Sequence, residues 1–302
     1  MNNQRKGQMI ILSLCLILFF TSVKIFAEDI KTIIKGLEKR ETRIEATRKI
    51  EKVGKPAIKH LRQIMKDKNK DKDTKISSII LLGKLKAKEA KNDLEEVLLN
   101  DKDDFMREAS VIALGNLGEK EAIPNLKKAL NDQSVNVRMR AAWALGKVGE
   151  KSGKELALKT LTEGEDVAGK LLASEALESI GDKYVIPQLQ QYLNDRNVWT
   201  RIYAKLTIKK LELVGLSEQQ RLVFLKETLM DEQFEVNHWA VTELAKIVIA
   251  ENSETKQETQ ENALVILKQA AKDTKIRGSY SARKVLQRLV ATGKISEKEM
   301  KE

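Results

Sequence analysis

Cysteine is nearly absent. The 302-residue chain has one, Cys15, together with 3 prolines, 2 histidines and 4% aromatic residues. A single thiol excludes an internal disulfide framework and any zinc site built from cysteines. Two histidines, His60 and His238, are too few for most histidine-built metal or triad sites. With so little proline, and 15 glycines, collagen-like and Pro/Gly-rich disordered classes are out and long helices are favoured. No Gly-rich phosphate loop, G-x-S-x-G or H-E-x-x-H occurs. What remains is 42% apolar and 33% charged, enough for both a buried core and a soluble surface. The formal charge is +11, but 55 cations are interspersed with 44 acids, a mixed surface rather than a polybasic one. The length suits one large domain or two ordinary ones.

Residues 1–27 read as an export signal. Arg5 and Lys6 form a short positive segment, Met9 to Phe20 is apolar except for Ser13, and Ala27 precedes acidic Glu28-Asp29. That layout suits cleavage after Ala27. The run is short of the ~20 residues that a spanning helix needs; a retained anchor and a buried helix are the alternatives. Cys15 lies within the apolar run. Leu12 stands where a lipid-attachment box wants a small residue, so Cys15 reads as a small hydrophobe. The chain is expected outside the cytoplasm, in the periplasm or envelope or secreted, with no stable membrane insertion once cleaved.

An internal repeat decides the fold class. A basic or polar column recurs about every 31–32 residues at Arg43, Lys75, Arg107, Arg138, Lys170 and Arg201, and after a longer step at Asn237. Three residues on, the side chain is always small: Ala46, Ser78, Ser110, Ala141, Ala173, Ala204, Ala240. Seven on it is Ile or Leu, and ten on it is Val, Leu or Ile. These offsets share one helical face. Asp71, Asp103, Ser134, Asp166 and Asn197 precede the column as N-caps. Gly54, Gly118, Gly149 and Gly181 end the helix, and Pro56, Pro124 and Pro187 open a second one. Each unit is therefore helix, tight turn, helix, and stacked units bury each other's apolar faces. Ser217-Glu218-Gln219-Gln220 reads as a capping box. A polar insert at 251–261 is expected to be a mobile loop, and Ser279 to Val290 a terminal capping helix.

The segments Val137-Arg138-Met139-Arg140-Ala141-Ala142-Trp143-Ala144-Leu145-Gly146-Lys147-Val148-Gly149 and Glu121-Ala122-Ile123-Pro124-Asn125-Leu126 resemble HEAT-like repeats. They are closest in style to the short variety found in phycobilisome lyases and many bacterial proteins. The resemblance covers roughly residues 29–290. It implies an all-α, right-handed α-solenoid of about seven helix pairs over residues 28–302, with the second helices lining a concave groove.

Asp101, Asp132 and Asp195 lie six residues before Arg107, Arg138 and Arg201. A carboxylate in each inter-repeat turn can bond the Arg one turn into the next helix, and HEAT-like families carry such an Asp–Arg ladder. Alternating pairs do not make the single-sign field of a phosphate binder, so no nucleic-acid partner is expected. The resemblance also reaches deoxyhypusine hydroxylase, whose iron is held by repeated His-Glu pairs. Here Leu61 follows His60 and Trp239 follows His238, so that site is absent. No catalytic, cofactor-binding or metal-binding residue is assigned.

One compositional bias stands out. Tyr184, Tyr192, Trp199, Tyr203, Phe224, Phe234 and Trp239 crowd into one stretch. Tyr203 and Trp239 share a column with Glu45 and Arg140, which implies partial exposure. Trp199, Tyr203, His238, Trp239 and Arg140 are therefore the candidate partner-binding residues; larger core residues in the C-terminal units are the alternative. The expectation is a monomeric, non-enzymatic scaffold or adaptor that binds a protein or peptide. A lyase-type chaperone or enzyme subunit is the alternative.

Overall fold

The computed structural model describes residues 30–250 and 257–301, and these are helices and turns without a strand. The expected signal at 1–27 lies outside the described residues, as do positions 251–256 of the expected insert. The chain divides between Gly153 and Lys154 into two compact units.

In the first unit a helical segment at 30–35 is followed by seven helices. These are α1 (Arg40–Val53), α2 (Ile58–Lys66), α3 (Lys72–Lys84), α4 (Lys91–Asn100), α5 (Asp104–Leu117), α6 (Ile123–Ala129) and α7 (Val135–Lys147). The odd-numbered helices carry the basic column and stack α1–α3–α5–α7, while α2, α4 and α6 pack on α3, α5 and α7. Each even helix thus lies against the first helix of the following pair. Gly54 and Gly118 end α1 and α5 at φ 71° and 74°, a left-handed backbone that glycine adopts without steric cost.

The second unit holds α8 (Lys154–Glu163), α9 (Val167–Ile180), α10 (Ile186–Gln190), α11 (Val198–Leu213), α12 (Glu218–Thr228), α13 (Phe234–Val248), α14 (Gln257–Lys272), α15 (Ser279–Ala291) and α16 (Glu297–Lys301). Here α9, α11, α13 and α15 stack, and α8, α10, α12 and α14 pack on α9, α11, α13 and α15. The capping helix expected from Ser279 is α15. Residues 257–261 are not loop: they open α14, where Thr259, Ala263 and Leu267 are buried. Burying that face outweighs the polar composition that suggested a loop.

The sequence columns explain the packing. Every member of the small column is buried, from Ala46 to Ala240, and so is every Ile or Leu four residues later. Small side chains let the odd helices approach closely, and the aliphatic column fills the space that remains. A fully buried Leu or Ile contributes about 1.5–3 kcal/mol. Caps close the helices: Asp71 accepts from Thr74 N–H, Asp103 from Phe105 N–H, Asp166 from Gly169 N–H and Asn197 from Trp199 N–H. Ser134 makes no side-chain cap bond. The capping box at Ser217 and Gln220 forms in both directions.

Candidate interaction surface

The basic column closes the turns between repeats. Arg107 donates from Nη1 to the carbonyls of Asp101 and Lys102, at 3.0 and 3.1 Å. Arg138 Nη1 donates to Asp132 O at 2.7 Å, Arg201 Nη1 to Asp195 O at 2.6 Å, and Asn237 Nδ2 to Asp231 O at 3.1 Å. The expected bond to the carboxylate of the same turn is therefore replaced by one to its carbonyl. The reason is local. The Asp carboxylates of 101, 132, 195 and 231 accept from backbone N–H groups two residues on, at 2.8–2.9 Å. That Asx turn occupies the carboxylate, and the guanidinium meets the unpaired carbonyls at the end of the preceding helix.

Two of these carboxylates are shared with the preceding repeat: Asp231 with Lys205 at 2.9 Å, and Asp132 with Arg107. Arg107, 5% exposed, pairs from Nε and Nη2 with Asp132 at 2.8 and 2.9 Å. Burial raises the Asp132 carboxyl, but Arg107 and the Ser134 N–H outweigh it and hold the group below the ordinary aspartate range. Lys170 has no Asp six residues before it, because Gly164 stands there. Its ammonium, 1% exposed, donates to Leu161 O at 2.7 Å, and desolvation pushes its pKa down.

Three clefts adjoin in the first unit. One of about 490 Å³ is lined by Lys66, Asp93, Glu96 and Asn100, and shares Asn100 and Asp101 with a second of about 470 Å³ that reaches Lys128 and Asn131. A third, about 620 Å³, shares Lys102 and Gln133 with the second and ends at Phe105. Three of their carboxylates are ion-paired: Asp93 with Arg62 at 2.8 Å and Lys66 at 2.6 Å, Asp103 with Lys72 at 3.0 Å, and Asp132 with Arg107. Burial raises Asp93, yet Lys66 and Arg62 keep it below its ordinary value. A carboxylate stabilised as the anion is a poor general base at neutral pH.

The five candidate partner residues divide. Trp199, 36% exposed, stacks on Tyr203 with ring centroids 6.2 Å apart, but Tyr203 is 7% exposed and Trp239 is 9% exposed. Neither of the last two forms part of a surface patch. Their column is exposed at Glu45 and buried at Ala109, Leu172, Tyr203 and Trp239, where neighbouring odd helices cover it. Burial also raises the Tyr203 phenol. Arg140 belongs to the first unit, where its Nε reaches Glu108 of α5 at 3.4 Å. His238 is exposed; it stacks on Phe234 at 5.4 Å, and its Nδ1 lies 3.1 Å from Ser281 Oγ on α15. Sequence reasoning missed Phe234, 55% exposed, and Tyr280, 59% exposed, as surface aromatics. The signal was their place in the first turn of a helix, Phe234 on a column-bearing one and Tyr280 on the capping helix, ahead of the buried face.

A sequence profile for HEAT repeats matches residues 30–115 and again 106–166. Residues 30–166 carry HEAT repeats. Solved structures similar to the chain include the complex of CpcE and CpcF of phycocyanin lyase from Nostoc sp. PCC7120, at 19% identity and TM-score 0.47, covering 77% of this chain and 94% of that one. Human deoxyhypusine hydroxylase in complex with glycerol matches at 17% identity and TM-score 0.39, covering 88% and 97%. An engineered protein matches at 20% identity and TM-score 0.36, covering 61% and 96%. No curated protein matches the chain. The regular charges serve the turns, and exposed aromatics stand in both units: Phe105 in the first, and Tyr184, Trp199, Phe234 and Tyr280 in the second. Among the described residues no group of three His, Cys, Asp or Glu could hold a metal ion, and no helix is long and apolar enough to cross a membrane.

Proposed function

We propose that this HEAT array is a non-enzymatic scaffold that presents a surface to a protein partner in the cell envelope or outside the cell. The observation that carries the reading is how the side chains are spent. The guanidinium and carboxylate groups that repeat along the chain cap helices and pair across repeats, while Trp199, Phe234 and Tyr280 remain exposed. Exposed aromatics of this kind anchor interfaces. Export rests on the Arg5-Lys6 segment, the Met9 to Phe20 run and Ala27.

The test is cross-linking in native cells with an affinity-tagged full-length chain, read by mass spectrometry alongside an intact-mass measurement. The expected result is one dominant exported protein partner and a mature chain beginning at Glu28. Turnover by the purified chain with no partner present would overturn the non-enzymatic part. A mature chain retaining Met9 to Phe20 would replace export with anchoring.

A further inference from the structure

The mixed charge of the chain sorts by edge within the first unit. The segments where α1, α3, α5 and α7 end and turn back are 51–59, 84–91, 116–121 and 147–151. They hold ten lysines, no arginine and no aspartate, against five glutamates. The turns at the opposite ends of these helices, 66–73, 100–104 and 131–134, hold five lysines against seven aspartates. Bonds between the lysine-rich segments set them side by side. Lys84 pairs with Glu51 at 2.6 Å and Lys88 with Glu119 at 2.8 Å, and Lys86 Nζ donates to Asn116 O. Lys127 of α6 reaches Glu150 of the fourth segment at 3.0 Å.

Those bonds account for the acids and leave cations over. Glu51, Glu119 and Glu150 each hold a lysine, and Glu121 adds its field to that of Glu119 at Lys88. Glu89 is the remaining acid of the edge and is exposed. Lys52, Lys55, Lys59, Lys120 and Lys147 are exposed, and their ammonium groups have no partner among the described residues. Local folding does not call for lysine here. Lys55, Lys88 and Lys120 each stand first in the one-turn 3₁₀ segment that opens the next helix, and Lys151 continues their column. A cation at that point gains from the carbonyl end of the helix behind it and loses to the amide end of the helix ahead.

The make-up of the edge selects what it fits. No aromatic and no exposed large apolar side chain lies in these segments. Protein interfaces favour aromatic residues and arginine and are depleted in lysine, and single-stranded nucleic acids stack on aromatics. Arginine supplies the planar fork that grips single phosphates, whereas lysine is a hydrated point charge. Hydrated charges spread over an edge suit a diffuse negative surface. We infer that this edge rests on a membrane surface rich in anionic lipid, with the ends of α1, α3, α5 and α7 turned to the headgroups. The contact is peripheral, since nothing on the edge enters the apolar layer, and the export proposed above brings the chain to such a surface.

The probe is vesicles of phosphatidylcholine, alone or mixed with phosphatidylglycerol, floated through a density gradient with the chain as recovered from the cells that make it. Partitioning onto the phosphatidylglycerol vesicles alone, weakening with added salt, is expected. Each lysine near an anionic surface is worth about fivefold in affinity, so Lys55→Glu/Lys120→Glu should lower partitioning by about twentyfold or more. Lys55→Arg/Lys120→Arg should keep it. Lys68→Glu/Lys102→Glu changes the net charge equally at the opposite helix ends, where both lysines are exposed, and should retain most of the binding. Circular dichroism checks that helix content is the same in every variant. An equal loss in Lys68→Glu/Lys102→Glu would reduce the effect to net charge and overturn the edge. Equal partitioning onto both kinds of vesicle would assign binding to apolar sequence such as Met9 to Phe20, and no partitioning onto either would remove the membrane contact; each overturns the inference. Tighter binding of labelled duplex DNA than of the vesicles would make the edge a nucleic-acid surface instead. The scaffold reading is decided separately, by capture of a protein partner.

Discussion

Arg107 uses its guanidinium twice. One nitrogen caps the carbonyls of Asp101 and Lys102, and the other two hold Asp132 of the next turn at 2.8 and 2.9 Å. Both partners are shielded from solvent, with side chains 7% and 12% exposed. Breaking such a pair leaves a buried charge uncompensated, which costs about 3–5 kcal/mol. Asp132→Asn is expected to lose about 3 kcal/mol of that kind, read as a lower urea midpoint at neutral pH. The carboxyl is held below its unfolded value of ~3.9. A depressed carboxyl contributes stability that is present above the unfolded pKa and lost as pH falls through the folded one. The wild-type advantage over Asp132→Asn should therefore be constant above about pH 5 and shrink below about pH 4. An advantage that persisted at low pH would mean that ionisation of Asp132 is not what the variant loses. Periodicity revealed the column to which Arg107 belongs, but not its bonds. A six-residue spacing brings the carbonyl and the carboxylate of the same Asp within reach, and only the Asx turn decides between them.

Helices of the first unit approach each other most closely where side chains disappear. A Cβ on Gly115 of α5 would stand 2.8 Å from Ala144 Cβ and 3.0 Å from Ala144 Cα on α7, and 2.7 Å from the Trp143 ring. Gly83 of α3 meets Ala113 of α5 in the same way, at 2.6 Å from its Cα. The obstacle is backbone in both cases, so the helices themselves must part. Overpacking of this sort costs typically about 1–3 kcal/mol, against a gain of roughly 1 kcal/mol for alanine over glycine inside a helix. Gly115→Ala is expected to be net destabilising by about 1 kcal/mol, measured by thermal or urea unfolding; a stabilised variant would show that the stack yields cheaply. Helix identity, order and caps were legible in the sequence because each rests on a local pattern repeated many times. Burial of Tyr203 and Trp239 was not, because one repeat position changes from exposed at Glu45 to covered at Ala109. Which face a neighbour covers depends on stacking, and a single column cannot report it.

A stack of repeats gains its stability from each helix pair and from the contacts between adjacent pairs, so the two ends and the middle of a unit should open differently. In the first unit α1 contacts α3, whereas α5 is packed by α3, α4 and α7. Ile50 of α1 and Leu114 of α5 occupy the same column and are 1% and 0% exposed. Truncating either to alanine removes comparable apolar volume, and deletions of this type cost about 2–5 kcal/mol. Their consequences should differ in extent. Ile50→Ala is expected to speed native-state amide exchange in 30–53 and leave α5 near its wild-type protection, because opening that edge leaves the α3–α5–α7 stack intact. Leu114→Ala lies beneath several neighbours, so it should lower protection through α3, α5 and α7 together. Hydrogen exchange resolved by mass spectrometry separates the outcomes. Uniform loss of protection across the unit for Ile50→Ala would mean that it opens as one cooperative body, and neighbour-by-neighbour stacking would no longer describe how this chain stays folded.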